Sequence, residues 1–295
     1  MTGLTAALFL ARFVHLATVL FLFGALAFGH YAGSAAVARQ ALRPVQLRLA
    51  CGLALLSALL WFGCVAVNLG DGYDALLDGD TLRTVLLDTA FGHAWALQSV
   101  LLLLLGLLLT LRPQAEYSTV ALLAAGLAVV TQAANGHPFA AASSPWEQSA
   151  HSVHLLAAAL WLGGLLPLLG ALQAADSEPS VVDVVRRFSW LALPAVLLLA
   201  LTGLINLHTL GLLNAPWQWS GYAWILRGKL ALFGVLLLLA SANRFLLTPQ
   251  IERQAQRQRQ GSQALNLLRW TVKIEIGVGL AVLALVSALG MVAPG

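Results

Sequence analysis

Residues 149–172 read SAHSVHLLAAALWLGGLLPLLGAL, a run without one charged side chain. A helix of roughly 20 apolar residues crosses a bilayer core, and in hydrocarbon only a helix satisfies its own backbone groups along such a run. The stretch therefore reads as a membrane crossing. Its histidines, His151 and His154, stand three apart on one helical face. Runs of the same kind occur at about 7–29, 46–68, 91–111, 118–135, 189–211, 223–247 and 269–292. The expected fold is all-α: a polytopic membrane bundle of eight transmembrane helices. The whole chain, 1–295, forms one integral membrane domain, with an N-terminal four-helix half (1–136) and a C-terminal four-helix half (137–295).

The composition agrees. Of 295 residues, 60% are apolar and 9% charged, and the mean hydropathy is +0.84. A soluble chain carries roughly 25% charged residues, so this one lacks the material for a water-facing surface. Soluble enzymes, secreted disulfide scaffolds and nucleic-acid readers are excluded. Nothing suggests hydrolytic chemistry: there is no Walker loop, no Gly-x-Ser-x-Gly and no acidic pair deep in a span.

Orientation follows from where Lys and Arg collect. With eight spans both termini lie on one side. The opposite side receives Arg39, Arg43, Arg48, Arg112, Arg186, Arg187, Arg244, Arg253, Arg257, Arg259, Arg269 and Lys273. Only Arg12, Arg83, Arg227 and Lys229 fall on the side of the termini. The heavier set marks the cytoplasm, so both termini are expected in the periplasm. Ala36-Val37-Ala38 resembles a processing site, but arginines follow it and the first apolar run is long for a signal, so span one is expected to stay.

The two halves resemble each other. Arg12-Phe-Val-His15-Leu in span one answers His151-Ser-Val-His154-Leu in span five, and nine residues beyond each histidine stands a glycine, Gly24 and Gly163. Span two runs from Arg48 to Asn68, span six from Arg187 to Asn206; Ala94-Trp95-Ala-Leu97 in span three answers Ala223-Trp224-Ile-Leu226 in span seven. Spans four and eight match poorly. An even number of spans per copy makes a parallel 4+4 repeat about an axis near the membrane normal. His15 and His154 would then be equivalent and face each other. Chance likeness between Leu/Ala-rich helices is the alternative.

Six of seven histidines start from the periplasmic end: His93, His137, His151, His154, His208 and, about 12 Å in, His15. His30 is cytoplasmic. An ionisable group at hydrocarbon depth is costly and usually functional, and imidazole suits copper and zinc. Methionine occurs only at Met1 and Met291, so no thioether ladder for Cu(I) exists. Cys51 and Cys64 share a helix about 20 Å apart and read as packing residues. A nitrogen-rich site facing the oxidising side favours Cu(II), or Cu(I) held by two or three imidazoles. Asn68, Gln98, Asn206 and Lys229 could orient such ligands, although the two asparagines could equally cap helix ends and Lys229 could snorkel outward. Lys273 and Glu275 read as an interfacial charge pair.

HSVHLLAAALWLGGLLPL (151–168), LTGLINLHTLG (201–211) and RGKLALFGVLLLLASANRFLLTP (227–249) resemble the copper resistance protein D family of bacterial inner-membrane proteins. ARFVHLATVLFLFGALAFG (11–29) and NGHP (135–138) agree more loosely. The resemblance implies a multi-pass inner-membrane protein that takes up copper alongside a periplasmic copper-binding partner; it leaves room for a homo-oligomer. Three readings stand. In the first, His93, His137, His151, His154 and His208 capture copper and pass it toward His15. In the second, His15 and His154 ligate haem b axially, and a membrane cytochrome moves electrons from a quinol to periplasmic copper or another acceptor. In the third, the histidines are incidental to a membrane scaffold.

Overall fold

The computed structural model describes residues 2–32, 41, 43–112, 114–135, 144–174, 178–212, 220–256 and 263–292; His137 and the NGHP turn beyond Asn135 lie outside them. Among the described residues every regular element is helical. The first helix, α1 (Thr2–Tyr31), buries Leu16, Val19, Leu20, Leu22, Leu26 and Phe28. Around it stand α2 (Pro44–Leu69), α5 (Thr119–Ala133), α6 (Pro145–Ala174) and α10 (Gln263–Leu289). The remaining α-helices are α3 (Gly79–Leu87), α4 (Ala90–Leu111), α7 (Glu178–Thr209), α8 (Gly221–Ala242) and α9 (Thr248–Gln256).

Among the described residues seven helices, α1, α2, α4, α6, α7, α8 with its continuation to Gln254, and α10, are long and apolar enough to cross a membrane. They coincide with seven of the eight apolar runs. The remaining run, 118–135, folds as α5, which has 15 residues and so reaches about 22 Å at 1.5 Å per residue. Leucines cover the outer faces of the bundle: Leu56, Leu59 and Leu60 on α2, Leu103, Leu104 and Leu107 on α4, and Leu197 and Leu201 on α7 are exposed. Lipid tails solvate such faces as well as a core would.

Local signals set the helix ends. Pro44 opens α2 at a position whose N–H has no helical partner anyway. In the acidic connection after α2, Asp78 caps α3 and accepts from the Asp80 and Thr81 amides. The Thr81 hydroxyl, and then those amides, hold the Asp78 carboxyl below its usual range. Thr89 caps α4 through the Gly92 amide, and Ser220 caps α8 through the Ala223 amide.

The central crossing is between α1 and α6, and two glycines make it. A Cβ on Gly24 would strike the Ala159 carbonyl oxygen, and one on Gly163 would strike the Leu20 carbonyl oxygen. The backbones therefore approach as closely as small residues at a membrane helix interface permit.

Packing elsewhere runs in parallel in the two halves. The α1 helix packs on α2, and α6 on α7; α4 packs on α5, and α8 on α10. Across the middle, α5 packs on α6 and α10 on α1. One neighbour relation differs. The α2 and α4 helices pack together, whereas α7 and α8 share almost no contact among the described residues.

Lys273 and Glu275 do not form the charge pair expected of them. Residues two apart on a helix do not face each other. Glu275 is buried and accepts from Asn243 Nδ2 at 2.9 Å, while exposed Lys273 lies over the Trp270 ring. Asn243 begins a π turn (Asn243–Leu247) that joins α8 to α9, and its Oδ1 accepts from Thr271.

Candidate functional site

His15 faces into the N-terminal half and is fully buried. Oxygen acceptors stand at both ring nitrogens: the Ala54 carbonyl is 3.0 Å from Nδ1, and Gln98 Oε1 is 2.9 Å from Nε2. Ser57 Oγ lies 3.3 Å from Nδ1 and donates to the same carbonyl. Gln98 turns its oxygen to His15 because its own amide donates to the Ala128 carbonyl and to Gln132 Oε1. The Trp61 ring closes the site edge-on, 5.7 Å between centroids. The imidazole thus ties α1 to α2 and α4, and Gln98 carries the network to α5.

His154 has a different setting. Its Nδ1 lies 2.9 Å from Thr202 Oγ1 on α7. The Thr202 hydroxyl donates its own proton to the Leu198 carbonyl, so its oxygen must accept from His154. That places the ring proton on Nδ1 and the lone pair on Nε2, an assignment made from the hydrogen-bond network. A ligating histidine commonly has its other nitrogen fixed in this way by a partner outside the coordination sphere. One helical turn earlier, His151 is buried and its Nδ1 meets Asn206 Nδ2 at a long 3.4 Å.

Both imidazoles line one cavity of about 420 Å³, a size typical of small-ligand sites. One end is polar: Arg12 of α1, His151, Asn206, Tyr222 of α8 and Ser287 of α10 gather there. Two or more turns deeper the walls are apolar, with Leu20, Trp161, Leu199, Phe233 and Leu236. Lys229 enters from α8 between these zones and makes no hydrogen bond or ion pair among the described residues. Arg12 lays its guanidinium over Trp61, 4.8 Å from the ring centroid, and its Nε is buried without a hydrogen-bond partner among the described residues. Among the described residues no carboxylate lines the cavity.

Of the histidines named from sequence, the cavity brings together His151 and His154. His15 is not among its walls. His93 is exposed on the first turn of α4 and donates from Nε2 to the Leu87 carbonyl at 2.7 Å. His208 borders a separate depression with Glu147 and Trp146. Among the described residues no three His, Cys, Asp or Glu side chains meet in a metal-holding group. Of the supporting residues, Gln98 reaches His15, Asn206 reaches His151 and Lys229 reaches the cavity, while Asn68 is exposed at the end of α2. Cys51 and Cys64 are free and buried.

Sequence reasoning passed over Arg12 and Thr202 as parts of a site. Both carried a signal. Arg12 stands three residues before His15, and Thr202 four before Asn206, spacings that keep each pair on one helical face.

A bundle of apolar helices with leucine-covered flanks and a polar-ended internal cavity is a multi-pass membrane protein. Two family models match the chain, "Copper resistance protein D-like, N-terminal domain" over residues 1–148 and "Copper resistance protein D" over 182–289. The chain belongs to the copper resistance protein D family. It is 32% identical to the copper resistance protein D of Pseudomonas syringae pv. tomato, over 70% of this chain and 69% of that one. It is 26% identical to the inner membrane protein YebZ of Escherichia coli (strain K12), over 96% of this chain and 97% of that one. The copper transport protein CutJ of Bacillus subtilis (strain 168) is 27% identical over 73% of this chain and 39% of its own. No solved structure matches. The protein is a multi-pass inner-membrane protein of a copper-resistance family.

Proposed function

We propose that this protein binds copper and transports it, or holds it for copper homeostasis, through a periplasm-facing site centred on His151 and His154. The observation that carries this reading is the His154 ring, pinned through Nδ1 by Thr202 and lining the cavity with its Nε2 lone pair uncommitted among the described residues. His151 adds a second imidazole one turn away, and its long contact to Asn206 is easily given up. Arg12 and Lys229 in the same walls raise the cost of extra positive charge, which favours Cu(I) over Cu(II). His93, His137 and His208 act as capture residues, and a periplasmic copper-binding protein delivers the metal.

The reading includes eight spans, with α5 as the short one, both termini in the periplasm and a parallel 4+4 repeat. The reciprocal glycine contact of α1 with α6 and the parallel packing of the two halves support the repeat. Within it His15 answers His154: each bonds to the helix that follows its own.

Haem b held between His15 and His154 is the alternative. It would require His15 to give up the Ala54 or Gln98 contact, so the geometry favours copper. The detergent-purified protein, loaded with Cu(I) and competed with a Cu(I) chelator, tests the reading. His154→Gln is expected to lose the metal, and Thr202→Val to weaken binding about tenfold. Copper retained unchanged by His154→Gln, or a haem Soret band in the purified protein, overturns it.

A further inference from the structure

The two halves of the bundle pack alike except at one place, and the cavity lies there. In the N-terminal half α4 closes on α2, and Gln98 fills the space beside His15. In the C-terminal half α8 stands off from α7, and its continuation α9 packs on α7 instead. The cavity occupies the gap, and its lips, Leu204 of α7 and Leu230 of α8, are 55% and 40% exposed. An opening between two membrane helices faces lipid, so what enters it comes from the bilayer.

The lining states the chemistry of that occupant. Arg12 and Lys229 bring two basic side chains with no acidic partner among the described residues. A buried basic group without a counter-charge is costly at membrane depth, and an anion beside it removes that cost. Beyond them the walls are leucine, phenylalanine and tryptophan, which demand an apolar body. A volume of about 420 Å³ suits a head group and the first part of one chain rather than a whole two-chain lipid.

We infer that the cavity binds an anionic membrane amphiphile, a phosphate- or carboxylate-headed lipid, which enters between α7 and α8 with its head at Arg12 and Lys229 and its chain toward Trp161. The inference rests on charge and shape and is independent of the copper reading. The bound anion would also neutralise the basic wall beside His151 and His154.

Native mass spectrometry of the full chain in mild detergent tests it, with phosphatidylglycerol, oleate and uncharged monoolein offered in turn. At least one anionic amphiphile is expected to bind about tenfold more tightly than monoolein, and either head group upholds the inference. An Arg12→Gln, Lys229→Gln double variant is expected to lose that preference. Ala200→Trp, which places a large ring at the cavity wall, is expected to lower binding of the anionic amphiphile with Arg12 and Lys229 intact, so a poorly folded double variant leaves the test standing. Equal binding of monoolein to the wild type, wild-type preference in a folded double variant, or wild-type affinity for the anionic amphiphile in a folded Ala200→Trp variant overturns the inference. Copper content of the same samples is read separately, so either proposal can fail without the other.

Discussion

His15 and His154 are the same side chain at comparable depth in two helices that cross, yet their chemistry differs. The difference lies in their neighbours. His15 meets an oxygen at each nitrogen, so a ligand would have to displace one of these contacts. Thr202 spends its own proton on its helix, so it can only accept from His154, and the second nitrogen keeps its lone pair. Replacing His15 by Leu should therefore act on stability. Gln98 Oε1 would lose its buried imidazole partner, at about 1–3 kcal/mol for an unsatisfied group, while the Ser57 hydroxyl keeps the Ala54 carbonyl. A lower unfolding midpoint in detergent with copper capture intact is the expected result; lost copper binding at unchanged stability would make His15 a ligand.

Among the helices, the α1–α6 crossing is the contact with least tolerance. Both sides are glycine, and each would drive a Cβ into the partner's backbone rather than into a movable side chain. Gly163→Ala is expected to force the helices apart and destabilise the protein by about 1–3 kcal/mol, read as a fall in unfolding midpoint. Gly52→Ala, where a Cβ meets open space, should cost nothing comparable. If Gly163→Ala is equally silent, the crossing is looser than described. The α8–α9 junction shows a second economy at this scale. At its π turn the Asn243 side chain holds Glu275 and Thr271 of α10, so a buried carboxyl is hydrogen-bonded with no cation paired to it among the described residues.

For the whole molecule, the sidedness expected from arginine placement remains a prediction with a direct check. Single cysteines in a variant lacking Cys51 and Cys64, placed at Tyr73 in the α2–α3 connection and at Arg253 in α9, should behave oppositely in intact cells. A membrane-impermeant thiol reagent is expected to label position 73 from outside and to reach 253 only after permeabilisation. The reverse pattern would invert the bundle and turn the cavity's polar end toward the cytoplasm.

How much of this was readable beforehand differs between fold and site. Seven of the eight apolar runs recur as helices long enough to cross the bilayer, because length and hydropathy are local properties and lipid leaves the backbone no other solution. The shortness of α5 was not visible, since the apolar run at 118–135 begins before its helix does and continues past its end. His151 and His154 were legible as a pair because their spacing sets a shared face. Which histidines face one cavity was not legible, because that depends on how far neighbouring helices stand apart.

By itself, then, the order of residues determined the membrane class, the helical content and the family, through composition, run length and recurring strings. Only the tertiary structure decided that His15 is enclosed by hydrogen bonds, that His154 borders a cavity, and that Arg12 and Lys229 stand there unpaired by acids among the described residues. Apolar helices pack by shape, and shape at a crossing depends on residues far apart in the chain; Gly24 and Gly163 meet across 139 positions.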